Sequence, residues 1–270
     1  MKKLLVYVLL FLGLFLATGC KEIDAVDKAV NETVSQFDLS AYITDEAINN
    51  DVLAGAKTAG LKIEEKASNL DRSNIYSLFG TVVYEKAFNK NLTSSKNSAT
   101  ELKEQLDDWN ITTYLNVLNI LGLEGKDLAL EIVNKEHAYM DADTAGMLIV
   151  ALSPYIKEQE VKNFIDEMLV VIKGYVSNEG VLSDWSGVNA SSTAQVIIAL
   201  VAIGESPRTY YDFDLIEILL TFKKDQGFKN GLNDDAPDLM FATPQSFLAL
   251  TLYQKFAKQN KAIYSYSLGE

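Results

Sequence analysis

One cysteine and one histidine are all that the 270 residues contain, and that scarcity closes off several kinds of chemistry. A single thiol, Cys20, cannot form an internal disulfide, so the fold must be held by core packing. With His137 as the sole histidine, a zinc site of cysteine and histidine ligands cannot be assembled. Basic residues are short as well, 24 against 37 acidic ones. So acidic a chain is repelled by phosphate backbones, and nucleic acid is not an expected partner. A glycine-rich phosphate loop, a serine-nucleophile elbow and a catalytic triad are missing too. No metal and no cofactor are therefore expected. Strand signals are scarce.

What is present begins with a leader. Lys2 and Lys3 precede an uncharged stretch from Leu4 to Gly19, closed by Ala17-Thr18-Gly19-Cys20. An apolar run shorter than the roughly 20 residues of a membrane span, ending in small residues, predicts a secretory signal. A cysteine directly after those residues resembles a bacterial lipoprotein signal, although Ala17 stands where leucine is usual. The resemblance implies cleavage before Cys20, a lipid on Cys20, and an extracytoplasmic body held at the cell membrane on the bacterial surface. Taking Lys2 and Lys3 from the 24 basic residues leaves 22 against 37 acidic, a net charge of −15 that suits solubility beside an anionic envelope. The expected division is a signal peptide over 1–19, a lipid-anchored segment over 20–44 and one domain over 45–270.

Helical periodicity dominates that domain. In 157–173, Val161, Phe164, Ile165, Met168, Leu169 and Ile172 fall at the i, i+3, i+4, i+7 spacing with charged residues between them, which predicts a helix with one wet side. The segments 147–152, 196–203 and 247–252 are apolar almost all round, as helices enclosed by other helices are. One-faced and all-apolar helices alternate, so an outer ring around an inner ring is expected. A repeat supports this: Ser192-Thr193-Ala194-Gln195 returns as Ala242-Thr243-Pro244-Gln245 and is foreshadowed by Thr144-Ala145-Gly146-Met147. Glycine-bearing turns at 178–180 and 225–228 separate the units. Segments 73–89, 98–109 and 111–122 are also expected to be helices.

"DADTAGMLIVALSPY", "WSGVNASSTAQVIIALVAIG" and "DQGF…MFATPQSFLAL" resemble the α/α-toroid superfamily over residues 137–258. That superfamily includes prenyltransferase subunits, squalene–hopene cyclases and the helical domain of the cobalamin carriers intrinsic factor and transcobalamin, together with bacterial cell-surface proteins. The resemblance implies an all-α toroid of five or six helical hairpins, with outer amphipathic and inner apolar helices. It specifies fold far better than function. The cyclases carry Asp-x-Asp-Asp-Thr, whose middle aspartic acid protonates an alkene; Asp141 matches the first position and Asp143 the middle one, but Thr144 replaces the third aspartate. Those enzymes also use two helical domains. The prenyltransferases hold zinc partly through cysteine, which this domain lacks. The cobalamin carriers close over a corrinoid with a β-rich domain that has no counterpart in the sequence.

Two readings of Asp141 and Asp143 stay open at this stage. Asp143 or Thr144 can cap the inner helix, as Ser191 or Ser192 would in the next repeat, or the carboxylates can face a ligand. If inner helices run parallel, their N-terminal ends gather at one mouth. Asp141, Asp143, Asn189, Ser191 and Thr243 would ring it, with Tyr139, Tyr155 and Trp185 nearby to offer flat contact area. His137 is expected to be a hydrogen-bonded surface or core residue, and the acidic loop 233–238 a solvated turn without the ligand spacing of a calcium loop. The expected function is non-catalytic binding of a small molecule, peptide or surface protein at the mouth. The alternative is a terpene-cyclase-like or other lyase or hydrolase activity using Asp141 and Asp143.

Overall fold

Short polar side chains start most of the helices in the computed structural model, which describes residues 24–44, 48–66, 70–137, 139–183 and 186–268. Cys20 and Trp185 lie outside them. Asp24 accepts a hydrogen bond from Asp27 N and opens α1 (Ala25–Ser35); Asn49 does the same for α2 (Asn50–Thr58) and Asn74 for α3 (Ile75–Ala87). There follow α4 (Thr93–Leu102), α5 (Ile111–Leu121), α6 (Lys126–Asn134), α7 (Ala142–Leu152) and α8 (Gln159–Lys173). The last three are α9 (Ala190–Ile203), α10 (Leu215–Thr221) and α11 (Ala242–Gln259). Gly122 and Gly204 end α5 and α9 in the left-handed conformation that glycine adopts without steric cost.

Burial follows the sequence pattern. In α8 the six residues at helical spacing are the buried ones, while Lys162, Asp166 and Glu167 are exposed. In α9 every residue from Val196 to Ala202 is buried, because other helices stand on all sides. The neighbours form a cycle: α2 packs on α3, α3 on α5, α5 on α7, α7 on α9, α9 on α11, and α11 on α2. The remaining helices lie against this cycle. α4 covers α3 and α5, α6 and α8 cover α5 and α7, α10 covers α9, and α1 covers α11.

Four features differ from expectation. The protein is mostly helical but not purely so, since short antiparallel strands occupy the glycine turns. β1 (Val176–Ser177), β2 (Gly180–Ser183) and β3 (Gly187–Asn189) form one sheet in that order, with Val176 opposite Val181 and Leu182 opposite Val188; β4 (Lys223–Lys224) pairs with β5 (Gly227–Phe228). Both hairpins are pinned to an inner helix by a threonine: Val181 N donates to Thr193 Oγ1 at 3.0 Å, and Phe228 N to Thr243 Oγ1 at 2.9 Å. A Cβ on Gly180 or Gly227 would lie 2.9 or 2.7 Å from those hydroxyls, so only glycine lets the strands come this close.

Second, the expected helix at 98–109 is α4 followed by a 3₁₀ turn over Lys103–Gln105; the Asp107 carboxylate then takes the Trp109 and Asn110 amides and turns the chain out of the helix. Third, the packed body begins before residue 45. Val30 and Val34 of α1 are buried, Tyr253 donates to Asp27 at 2.7 Å, and Phe37 stacks on Phe247 with ring centroids 3.9 Å apart. Fourth, the helix caps sit earlier than expected, as the site shows.

After α11 the chain folds back. Ile263 N donates to Val201 O of α9, the Tyr264 hydroxyl to Asn116 of α5 at 2.7 Å, and the Tyr266 hydroxyl to Asp51 of α2 at 3.2 Å. Those three helices are two steps apart in the cycle, so the tail spans between helices that are not its adjacent members.

Candidate functional site

Asp141 has an extended backbone, and its Oδ1 accepts the Thr144 amide at 2.8 Å while Oδ2 accepts the Tyr139 hydroxyl at 3.2 Å. It is the cap of α7, two residues before the position expected. Asn189 caps α9 in the same way, taking the Ser192 amide at 2.8 Å, and its Nδ2 donates to Gly187 O at 2.9 Å. The last residue to keep an extended backbone is the one that caps, so Asp143, Thr144, Ser191 and Ser192 already lie in the first turns. Asp238 gathers the Met240, Phe241 and Ala242 amides at 2.8–3.2 Å and holds the start of α11.

Relieved of capping, Asp143 reaches across to the next helix. The Ser192 hydroxyl donates to its Oδ2 at 2.9 Å. The contact needs α7 and α9 to lie close, and a Cβ on Gly146 would stand 2.9 Å from Gln195 Cγ. Burial pushes the Asp143 carboxyl above its ordinary value; the Ser192 bond pulls it down and Asp141 nearby pushes it up.

Around these groups the first turns of α7, α9 and α11 enclose an open cleft of about 240 Å³. Asp143, Asn189 and Ser192 line it with Ser183 and Ser186, and Ser191 joins through its bond to Asn230 at 3.2 Å. Gln195, Gln245 and Asp238 complete the polar part. Met147 and Phe241 supply the apolar part and are 50% and 58% exposed, next to Met240 at 71%. Among the described residues, two carboxylates and no lysine, arginine or histidine face the space.

Of the residues singled out in the sequence, Asp143, Asn189 and Ser191 meet in the cleft, with Asp141 and Tyr139 beside them. Thr243 does not ring the mouth: it is fully buried and spends its hydroxyl on Phe228. Tyr155 does not either. It follows the C-terminal end of α7, and its hydroxyl donates to Asn119 at 2.7 Å. Among the lining residues missed, Met147, Gln195 and Gln245 had a signal in the repeat. They are the fourth residues of the three aligned quadruplets, one turn into each inner helix.

A cyclase-type proton donor needs a neighbour that polarises its proton and aromatic walls for the cation. Asp141 has both oxygens engaged in capping and in the Tyr139 bond, and Phe241 is the one aromatic among the described lining residues. His137 bonds Ile132 O through Nε2 at 3.0 Å and tilts against Phe164. In the acidic loop Asp234 accepts the Gly231 amide. Among the described residues no group of three or more histidine, cysteine, aspartate or glutamate side chains is placed to hold a metal.

Comparison with family models, curated proteins and solved structures gave no match. The functional reading rests on the sequence and the geometry of the cleft.

Proposed function

We propose that the chain is a lipid-anchored, extracytoplasmic binding module of the α/α-toroid type, non-catalytic, whose cleft captures a ligand bearing positive charge and hydrogen-bond donors. A lysine- or arginine-bearing peptide is the ligand class that fits. The observation carrying this is the cleft itself: among the described residues Asp143 and Asp238 face it without any cationic side chain, beside serine, asparagine and glutamine groups and an exposed Met147–Phe241 edge. Fixed carboxylates and amides receive an ammonium or guanidinium group, and the apolar edge covers its alkyl stem. The toroid reading is supported by the six-membered cycle with helices laid outside it. Membrane attachment is proposed through a lipid on Cys20, and no helix among the described residues is long and apolar enough to cross a membrane.

The test is calorimetric titration with trilysine and triglutamate. Trilysine is expected to bind, triglutamate not to bind, and Asp143→Asn to weaken trilysine about tenfold, the scale of one hydrogen bond to a charged group. Equal binding of both peptides, or an Asn variant that binds like the wild type, would sink the proposal.

A further inference from the structure

The N-terminal helix fixes which way the cleft points. α1 begins at Asp24, whose carboxylate binds Arg208 Nη1 at 2.5 Å; Arg208 also binds Asp214 at 2.6 Å and approaches Asp27 at 3.7 Å. Arg208 follows the C-terminal end of α9, and Asp27 accepts the Tyr253 hydroxyl, eleven residues into α11. Downstream, Phe37 stacks on Phe247, and Asn49 N donates to Tyr42 O at the start of α2. The chain therefore enters the body at the C-terminal ends of the inner helices and climbs toward their N-terminal ends, where the cleft lies. Eleven helical residues amount to about 16 Å between the level of Tyr253 and the level of the cleft.

We infer that the cleft-bearing end faces away from the membrane and meets soluble partners from the surrounding medium rather than lipid of the membrane that holds the protein. The inference rests on the proposed lipid at Cys20. Three residues lie between Cys20 and Asp24, so the four Cα–Cα steps reach at most about 14 Å. So short a tether from the opposite end keeps that end, with Arg208 and the exposed Lys261, nearest the bilayer. The Arg208 clamp to two aspartates of α1 stops the helix from swinging out and lengthening the tether.

The experiment uses the full lipidated chain on vesicles containing lipids with a quencher on the headgroup. A dye is placed on Met240→Cys at the cleft edge or on Lys261→Cys beyond α11; the lipid thioether leaves Cys20 unreactive. Quenching at position 261 is expected to exceed that at position 240 several-fold, and releasing α1 with Arg208→Ala is expected to shrink the difference. Equal quenching, or stronger quenching at 240, overturns the orientation while leaving the anchor standing. Mass spectrometry of the Cys20 peptide separates the two ideas, since absence of lipid there removes the anchor and the orientation with it.

Discussion

At Asp141 one carboxylate oxygen satisfies a backbone amide that the helix cannot satisfy from within. Asp141→Ala is expected to cost about 1 kcal/mol, as loss of a helix cap does. Asp143 carries no such bond, and its substitution has a different outcome. Asp143→Asn keeps an acceptor for Ser192 and removes a half-buried charge. Because burial raises the folded carboxyl above the ordinary 3.8, the contribution of Asp143 to stability is complete below that pH and is lost as pH rises through the folded value. Asp143→Asn is therefore expected to melt higher than wild type at pH 7 and to match it in acid below about pH 4. Melting curves at the two pH values check both statements; a lower melting temperature for Asp143→Asn at pH 7 would contradict them. Asp141, Asp143, Asn189 and Ser191 were legible in the sequence as candidates, but their roles were not. The stretches "DADT" and "NASS" each offer several cap-competent side chains, and only the backbone angles decide which one stays extended.

At the scale of elements, the alternation of one-faced and enclosed helices was readable because burial repeats every three to four residues over a dozen positions. The strands were not. Two to four residues are too few to show alternation, and what holds them is a hydroxyl from a helix twelve or more residues away. The amides of Val181 and Phe228 are in buried residues, so each depends on its threonine. Thr193→Val and Thr243→Val are each expected to cost roughly 1–3 kcal/mol by leaving a buried N–H without an acceptor, whereas serine at either position should restore most of the loss. Chemical denaturation of the four variants decides it. Valine variants as stable as wild type would mean that the hairpins dock by side-chain packing alone.

At the scale of the whole molecule, the cycle of helices closes through α2 and α11, which are nearly two hundred residues apart in sequence, and no local pattern announces that contact. The tail is equally silent in the sequence. Tyr266 packs edge-on against Phe79 at 5.0 Å and donates to Asp51, and burial pushes the Asp51 carboxyl upward even though the Tyr266 bond opposes it. By the same sign as at Asp143, this carboxylate subtracts from stability once pH exceeds its folded value. Asp51→Asn is therefore expected to stabilise the protein at pH 7.5 and to do nothing below about pH 4. Removing residues 264–270 takes away two half-buried tyrosines and should cost roughly 2–5 kcal/mol, on the scale of burying large apolar side chains. It also lets water reach Asp51, so its carboxyl returns toward 3.8 and the charge ceases to be a burden. The decisive comparison is Asp51→Asn in the full chain and in the truncated one, by denaturant unfolding at pH 7.5. If the tail is what dries Asp51, the stabilisation seen in the full chain disappears on truncation. A stabilisation of equal size in both would place the burial in the packing of α2 and α3, and the tail would be a cover rather than part of the electrostatics of the core.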